Sequence, residues 1–500
     1  MASPLRILFV AAECAPLAKV GGLGDMAGSL PKALRALGHD VRLALPHYAT
    51  IDNRRFPARA ATHFQVNSRA GPVWATAHET AHDGVPIYLI SGPPIPPRPW
   101  LYGGIAEDGP KFVFFSLAAL EMCRTMDWQP DVVHAHDWHA GTSVGYLGTA
   151  GLADPFFARV ASLFTIHNLP YSGAGAGDAL WQYGFWPSPW MGLPAYERWS
   201  PMALALSHAD VINAVSPGYA REVLTPEYGQ GFEGLLAARG ERLTGVLNGI
   251  DYDVWNPATD RNLPANFDAE SLEGRAENKR ALQAESGLPA RPDAFLIGMV
   301  SRLDGQKGLD LVGPALRELL AEDVQFVLLG TGDPYFEAEM ARLAADFPGK
   351  VAAHLRFDAA AATHIYGGAD AFLMPSRYEP CGLGQMIALR YGAVPVVRAT
   401  GGLADTVVDA AERGGTGFVF GPYSAYALYG ALARARAAFA DRAHWRRMQQ
   451  RGMKADFSWA KSAKEYVGLY KKAMEYGGSG WPMADGFATG RLSNAFVTQL

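Results

Sequence analysis

The sequence predicts an α/β protein of two doubly wound, parallel-sheet halves, and three observations carry that prediction. Short apolar runs alternate with amphipathic helical stretches along the chain. The runs are apolar on both faces, as strands are when helices cover a parallel sheet on both sides. The rhythm then starts afresh past the middle, after a stretch of turn residues. Length agrees: 500 residues exceed the ~250–300 at which single cores stop growing.

In the first half, Ile7–Ala11 is an apolar run followed by a glycine-rich turn. Leu30, Leu34 and Leu37 then share one helical face, with Gly38 at its end. Val41–Leu45 resumes as a strand, which completes a β-loop-α-β unit. Pro86–Ile90, Val132–Ala135, Ser162–Ile166 and Val211–Ala214 are further strand candidates, and Lys111–Cys123 a helix. In the second half, strands are predicted at Phe295–Val300, Val324–Leu329, Ala371–Met374 and Val394–Val397. Helices are predicted at Leu309–Leu320 and Pro334–Ala345. Both halves are therefore of Rossmann-like type.

Val246–Asp251, leading to Trp255-Asn256-Pro257, carries Asn-Gly and Asn-Pro turn chemistry and reads as the bridge. The predicted domains are 1–250, 251–457 and a C-terminal element at 458–500. A helical pattern runs from Trp445 through Phe457-Ser458-Trp459 to about Met474, and a glycine-rich tail follows Tyr476.

Composition narrows the function classes. Hydrophobic residues make up 49% and charged ones 19%, which excludes a disordered chain. Basic and acidic residues, 44 and 49, are well mixed at a net charge of -5, so neither nucleic acid nor an anionic membrane is an expected partner. Cys14, Cys123 and Cys381 are too few and too scattered for a disulfide framework or a zinc site. The start lacks the pattern of a signal or transit peptide, and no apolar run approaches the roughly 20 residues of a membrane span. The chain reads as a cytoplasmic enzyme.

Ligands of open parallel sheets bind beyond the carboxyl ends of the strands, so the loops after strands are the candidates. Lys19-Val20-Gly21-Gly22-Leu23-Gly24-Asp25 follows the first strand. Its glycines alone fit a tight turn as well as a phosphate cradle, but Lys19 and Asp25 flank them and the helix start supplies N–H donors. His136-Asp137-Trp138 and Thr165-Ile166-His167-Asn168 each close a strand with a polar cluster suited to sugar hydroxyls, with the Trp138 ring available for packing. Arg302 and Lys307, in the loop after the second half's opening strand, can converge on one diphosphate. Glu379 lies in the Pro-flanked turn Pro375–Gln385. A carboxylate beside a diphosphate is favourable when it binds hydroxyls or faces a developing cation, and a sugar ring in transfer offers both. Asp251-Tyr252-Asp253 has a metal-binding D-x-D form but follows the bridge, and Arg302 with Lys307 can supply the positive charge in place of a metal. Glu13-Cys14-Ala15 lacks metal-ligand spacing and reads as strand-end packing.

Taken in order, these loops resemble the bacterial glycogen synthase and plant starch synthase family. The matching pieces are Lys19–Asp25, His136-Asp137-Trp138, Thr165–Asn168, Asn248-Gly249-Ile250-Asp251, Ser301–Gly308, Glu379-Pro380-Cys381-Gly382-Leu383 and Thr400–Val407. The resemblance runs from about Ile7 to Tyr470. It implies a GT-B fold, two Rossmann-like domains facing across a deep cleft. It implies transfer of glucose from ADP-glucose to the non-reducing end of an α-1,4-glucan, glycogen or a maltooligosaccharide, with retention at the anomeric carbon. By that likeness Lys19 and Gly22, with Asp25 beside them, meet the donor or its phosphates. Asp137, His167 and Asn248 bind the sugar and line the acceptor side. Arg302 and Lys307 hold the diphosphate, while Glu379 and the backbone at Cys381, Gly382 and Leu383 grip glucose hydroxyls. Tyr366 lies near the nucleotide base, and the final helix crosses back onto the first domain. No cofactor and no metal are implied.

Retention follows by front-face attack within an ion pair or through a covalent intermediate. The first is favoured because no residue is an evident nucleophile. The rivals are a starch synthase proper, a sucrose- or trehalose-forming transferase, a sugar-nucleotide epimerase and a non-catalytic glucan-binding protein. No residue distinguishes adenine from uracil on physical grounds, so the ADP carrier rests on the resemblance.

Overall fold

The computed structural model describes residues 3–477. The predicted tail glycines Gly478 and Gly480, with the rest of 478–500, lie outside the described residues. Contacts divide the chain into two compact units. One comprises the chain up to Val215, Ala220–Val246 and the stretch from Ser462; the other comprises Ser216–Tyr219 and Leu247–Lys461. Both predicted borders, at 250/251 and 457/458, therefore fall inside the second unit. Two pairings place them there: Ile250 bridges to Ser458, and its N–H donates to the Phe457 carbonyl at 2.8 Å.

The first unit is built on a nine-stranded sheet. Its strands are β1 (Arg6–Val10), β2 (Asp40–Pro46), β3 (Arg59–Val66), β4 (Val73–His82), β5 (Val85–Ser91), β6 (Val132–His136), β7 (Ala161–Ile166), β8 (Val211–Ala214) and β9 (Leu243–Gly245). They run in the order β3-β4-β5-β2-β1-β6-β7-β8-β9. All neighbours pair parallel except the antiparallel meander β3-β4-β5. Ile7, Leu8, Phe9 and Val10 are completely buried, as expected for a central strand covered on both faces. The first helix, Gly22–Ala36, buries Leu23, Met26, Leu30 and Leu34 at helical spacing. Leu37, predicted on that face, instead caps the helix and is exposed.

The second unit carries an all-parallel six-stranded sheet: β10 (Phe295–Val300), β11 (Val324–Leu329), β12 (Val351–His354), β13 (Ala371–Met374), β14 (Val394–Arg398) and β15 (Phe418–Phe420). Its order is β12-β11-β10-β13-β14-β15, with β10 central between β11 and β13. The helix Leu309–Leu319 buries Leu309, Val312, Leu316 and Leu319 into the same core as Phe295, Ile297 and Phe326. Each such leucine contributes about 1.5–3 kcal/mol relative to an exposed one. Asp333 caps the helix Pro334–Asp346 by accepting from Tyr335 N–H, with Pro334 at the first turn where its missing N–H costs nothing.

The helical pattern predicted from Trp445 forms two helices, Arg442–Lys454 and Trp459–Tyr476. Tyr252 breaks the run: its hydroxyl accepts from Phe457 N–H at 2.9 Å and donates to the Ala455 carbonyl at 3.2 Å, while Asp456 accepts from Ser458 N–H. The last helix brings Tyr466 and Tyr470 to the first sheet, where they meet Asn213 and His134. No described helix is long and apolar enough to cross a membrane.

Candidate active site

Within the first unit, the loop leaving β1 folds around Glu13. Its Oε2 accepts from Val20 N–H at 2.7 Å and Gly21 N–H at 2.8 Å, and its Oε1 accepts from the Tyr102 hydroxyl at 2.6 Å. Lys19 Nζ donates to Asp25 Oδ1 at 2.6 Å across the start of the helix, whose first residue is Gly22. Burial raises the Asp25 carboxyl, and the Lys19 charge opposes that rise. Glu13 is therefore an organiser of the glycine-rich loop and not strand-end packing.

At the ends of β6 and β7 the polar clusters meet. Asp137 Oδ1 accepts from His167 N–H at 2.7 Å and Asn168 N–H at 3.3 Å. Asp137 itself adopts a left-handed φ of 54°, unusual outside glycine and most tolerable for Asp or Asn. Burial pushes its carboxyl up to about 7 against the pull of those two amides. His136 Nδ1 and His167 Nε2 share one hydrogen bond at 3.2 Å, and burial pushes the His167 imidazole down to about 3, so this ring is neutral. His136 Nε2 and Asn168 Oδ1 are buried without a hydrogen-bond partner. The Trp138 ring is 7% exposed and set against Phe112 and His139, so it packs inward and offers no open face to a sugar.

In the second unit the loops after β10 and β13 are laced together. Lys307 Nζ donates to Glu379 Oε2 at 2.7 Å, with side chains 17% and 8% exposed, and Ser376 donates to the same oxygen at 3.0 Å. Gln306 Nε2 donates to the Tyr378 carbonyl at 3.3 Å, and Arg377 N–H to the Gln306 carbonyl at 2.8 Å. Arg302 is more open, at 55% exposed, and is steadied by Asp304 and Gln306.

The acidic turn is seated from below. Gly401 has φ 43°, and a Cβ there would lie 2.0 Å from the Glu379 carbonyl oxygen. Gly402 N–H donates to that oxygen at 3.1 Å. Gly382 has φ 71°, and the Gln385 amide fills the space a Cβ would need while donating to the Cys381 and Gly382 carbonyls. Leu383 is the cap of the helix Gly384–Arg390 and uses no side-chain capping bond. Burial pushes the Cys381 thiol up to about 12, with the Asn248 backbone N–H pulling the other way. Asn248 Oδ1 is buried without a hydrogen-bond partner.

Lys19, Gly22 and Asp25 are thus gathered at one loop, Asp137 and His167 at a second, and Lys307, Glu379, Cys381, Gly382 and Leu383 at a third, with Arg302 beside it. Tyr366 is 4% exposed among Phe372, Trp255 and Tyr391, so neither ring face is open to stack on a base. Sequence reasoning passed over three further residues. Tyr102 gives no local signal, since its partner lies 89 positions away. Ser216 and Gly218 do follow a strand, β8, and the same search would have reached them. Ser216 Oγ donates to the Pro380 carbonyl at 2.5 Å, and Gly218 N–H to Asp405 Oδ2 at 2.5 Å. Among the described residues, no three His, Cys, Asp or Glu side chains converge as a metal site.

Residues 6–238 match the family described as starch synthase catalytic domain, and residues 283–452 match glycosyl transferases group 1. A glycogen synthase of Desulforudis audaxviator is 44% identical over 94% of this chain and 97% of its own length. One from Anaeromyxobacter dehalogenans is 45% identical over 93% and 99%. The catalytic domain of Starch Synthase IV from Arabidopsis thaliana, solved bound to ADP and acarbose, superimposes with a TM-score of 0.88 at 34% identity, over 95% of this chain and 100% of that one. A sucrose-phosphate synthase from Thermosynechococcus elongatus, at 21% identity and a TM-score of 0.59, shares the fold. The two parallel-sheet units are those of a GT-B glycosyltransferase, and the chain belongs to the glycogen and starch synthase family, whose members build glucan by hexosyl transfer.

Proposed function

We propose that the chain transfers glucose from ADP-glucose to the non-reducing end of an α-1,4-glucan, with retention at the anomeric carbon. The observation that carries this reading is the Lys307–Glu379 pair, a cation and a carboxylate 2.7 Å apart beyond neighbouring strands β10 and β13. Departure of a diphosphate leaves negative charge on its oxygens and positive charge at the anomeric carbon. Lys307 has three donors, so it can keep Glu379 and still reach a phosphate oxygen. Arg302, exposed and preset by Asp304 and Gln306, adds a planar fork for the same group. Two fixed cations supply the charge a divalent metal would bring, so the reading requires no metal.

Glu379 then grips glucose hydroxyls together with the backbone at Cys381, Gly382 and Leu383. Its oxygen Oε2 is already held by Lys307 and Ser376, which suits a fixed hydroxyl acceptor better than a mobile nucleophile. Front-face attack within an ion pair follows. The second unit is the donor side; Asn248, expected on the acceptor side, belongs to this unit, and its unpartnered buried oxygen suits a sugar hydroxyl there. The first unit is the acceptor side. Asp137 holds the turn at His167 and Asn168, and the neutral His167 imidazole offers one nitrogen to a hydroxyl. Lys19, held in place by Asp25, and the amides at the helix start at Gly22 suit a donor phosphate. Tyr366 has no role in this reading. The ADP carrier rests on kinship with a starch synthase whose solved structure holds ADP.

The test is to extend maltoheptaose with labelled ADP-glucose and digest the product with an exo-acting α-1,4-specific amylase that releases maltose. Label released as maltose supports the reading. Label in a new sugar nucleotide formed without glucan would contradict it in favour of an epimerase.

A further inference from the structure

We infer that Glu13 is a positioning residue for the transfer, set by Tyr102 and a buried Asp108–Lys111 pair, and that it fixes the loop presenting Lys19. This rests on the reading that the glycine-rich loop meets the donor.

Lys111 and Asp108 form an ion pair for which the chemistry has no direct use. Lys111 Nζ donates to Asp108 Oδ1 at 2.6 Å, and their side chains are only 3% and 6% exposed. Burying two charges is costly, and such a pair is retained most readily where it specifies a geometry. Here the geometry is the turn 101–104. Lys111 Nζ also donates to the Leu101 carbonyl at 2.6 Å. Asp108 accepts from Gly103 N–H at 3.1 Å and Gly104 N–H at 3.0 Å. Tyr102 sits between those clamped residues, so its ring has little freedom.

From that turn the Tyr102 hydroxyl donates to Glu13 Oε1 at 2.6 Å, and Glu13 Oε2 takes the amides of Val20 and Gly21. A second phenol, Tyr48, donates to the Ala12 carbonyl at 2.9 Å and fixes the backbone just before Glu13. Both Glu13 oxygens are occupied and the residue is 4% exposed. Three of its roughly four acceptor sites are taken by the loop and Tyr102, so its role is to hold the loop. With the amides of Val20 and Gly21 satisfied from behind, Lys19 and the helix start at Gly22 are what the loop has left to present. A polar strut thus runs from Lys111 through Asp108, Tyr102 and Glu13 to Lys19, all inside the first unit.

The experiment measures donor KM, acceptor KM, kcat and melting temperature for Glu13→Gln, Tyr102→Phe, Lys19→Ala and Glu13→Gln/Lys19→Ala. Tyr102→Phe and Glu13→Gln each raise donor KM at least about fivefold, the scale of one ordinary net hydrogen bond. Acceptor KM stays within about twofold. Adding Glu13→Gln to Lys19→Ala changes donor KM by less than about twofold, because residues acting through one loop are not additive. Donor KM unchanged in both strut variants while Lys19→Ala raises it would overturn the strut alone. Donor and acceptor KM rising together would make Glu13 merely structural. An unchanged donor KM in Lys19→Ala would remove the reading of the loop, and this inference with it.

Discussion

Lys307 and Glu379, 72 positions apart in sequence, form a 2.7 Å ion pair at the ends of two neighbouring parallel strands. Both side chains are largely buried, and Ser376 shares the carboxylate. The pair is at once a structural contact and the proposed chemical centre, and the two roles separate by mutation.

Lys307→Met leaves Glu379 buried with one partner fewer. We expect turnover to fall at least about tenfold, the equivalent of ~1.4 kcal/mol on the barrier. We also expect a stability loss of about 3–5 kcal/mol from the stranded carboxylate. Lys307→Met/Glu379→Gln should recover most of the melting temperature and none of the turnover. Recovery of both would make the pair purely structural.

Asp137 predicts an opposite response from two substitutions. Its carboxyl is pushed up to about 7 by burial, from about 3.9 in an unfolded chain. A raised folded value favours the fold below the unfolded value, and that benefit is lost as pH rises through about 7. Asp137→Asn keeps an oxygen for the amides of His167 and Asn168 and tolerates φ 54°. It should melt at or above the parent at pH 8. Asp137→Ala should melt below it at pH 5 and pH 8 alike. Melts at the two pH values check this, and an Asn variant weaker than the parent at pH 8 contradicts it.

The buried histidines act at the other end of the scale. His139 and His167 are pushed down to about 3 by burial, from about 6.5 unfolded. Their depressed folded values favour the fold above about 6.5, and that stability is lost as pH falls toward 3. His167→Gln should therefore lose stability less steeply between pH 6 and pH 4, read by denaturant titration at each pH. An unchanged slope would mean that His167 protonates in the fold without penalty.

Two glycines should behave oppositely. Gly401→Ala places a Cβ 2.0 Å from the Glu379 carbonyl oxygen at a φ of 43°. Forcing it costs on the order of 1–3 kcal/mol and displaces the acidic turn, so turnover should fall with stability. Gly430, exposed within the helix Ala425–Phe439, has open space at its Cβ. Gly430→Ala should stabilise by about 0.5–1 kcal/mol with turnover unchanged. Calorimetry beside the transfer assay checks both.

Where burial on both faces decided the structure, the sequence was legible. Val211–Ala214, Phe295–Val300, Val324–Leu329 and Ala371–Met374 are strands at the predicted residues. The hairpin arms β3 and β4 went unread because their residues are mixed polar and partly exposed, with Arg59 at the edge and Trp74 outward. The break at Ala455–Ser458 depends on Tyr252, some 200 residues away, which no helical periodicity contains. The site loops were visible because polar residues after apolar strands are conspicuous. Glu13 was seen but misread, since its meaning depends on Tyr102, and the aromatic enclosure of Tyr366 was not legible because only packing reveals it.

Glucosyl transfer from an ADP-activated donor is read out by radiolabelled transfer onto glycogen from ADP-glucose and from UDP-glucose at equal concentration. We expect glucan-bound label from ADP-glucose at a rate at least about tenfold above that from UDP-glucose, the equivalent of ~1.4 kcal/mol in the barrier. Label entering glycogen equally from both donors, or faster from UDP-glucose, would contradict it.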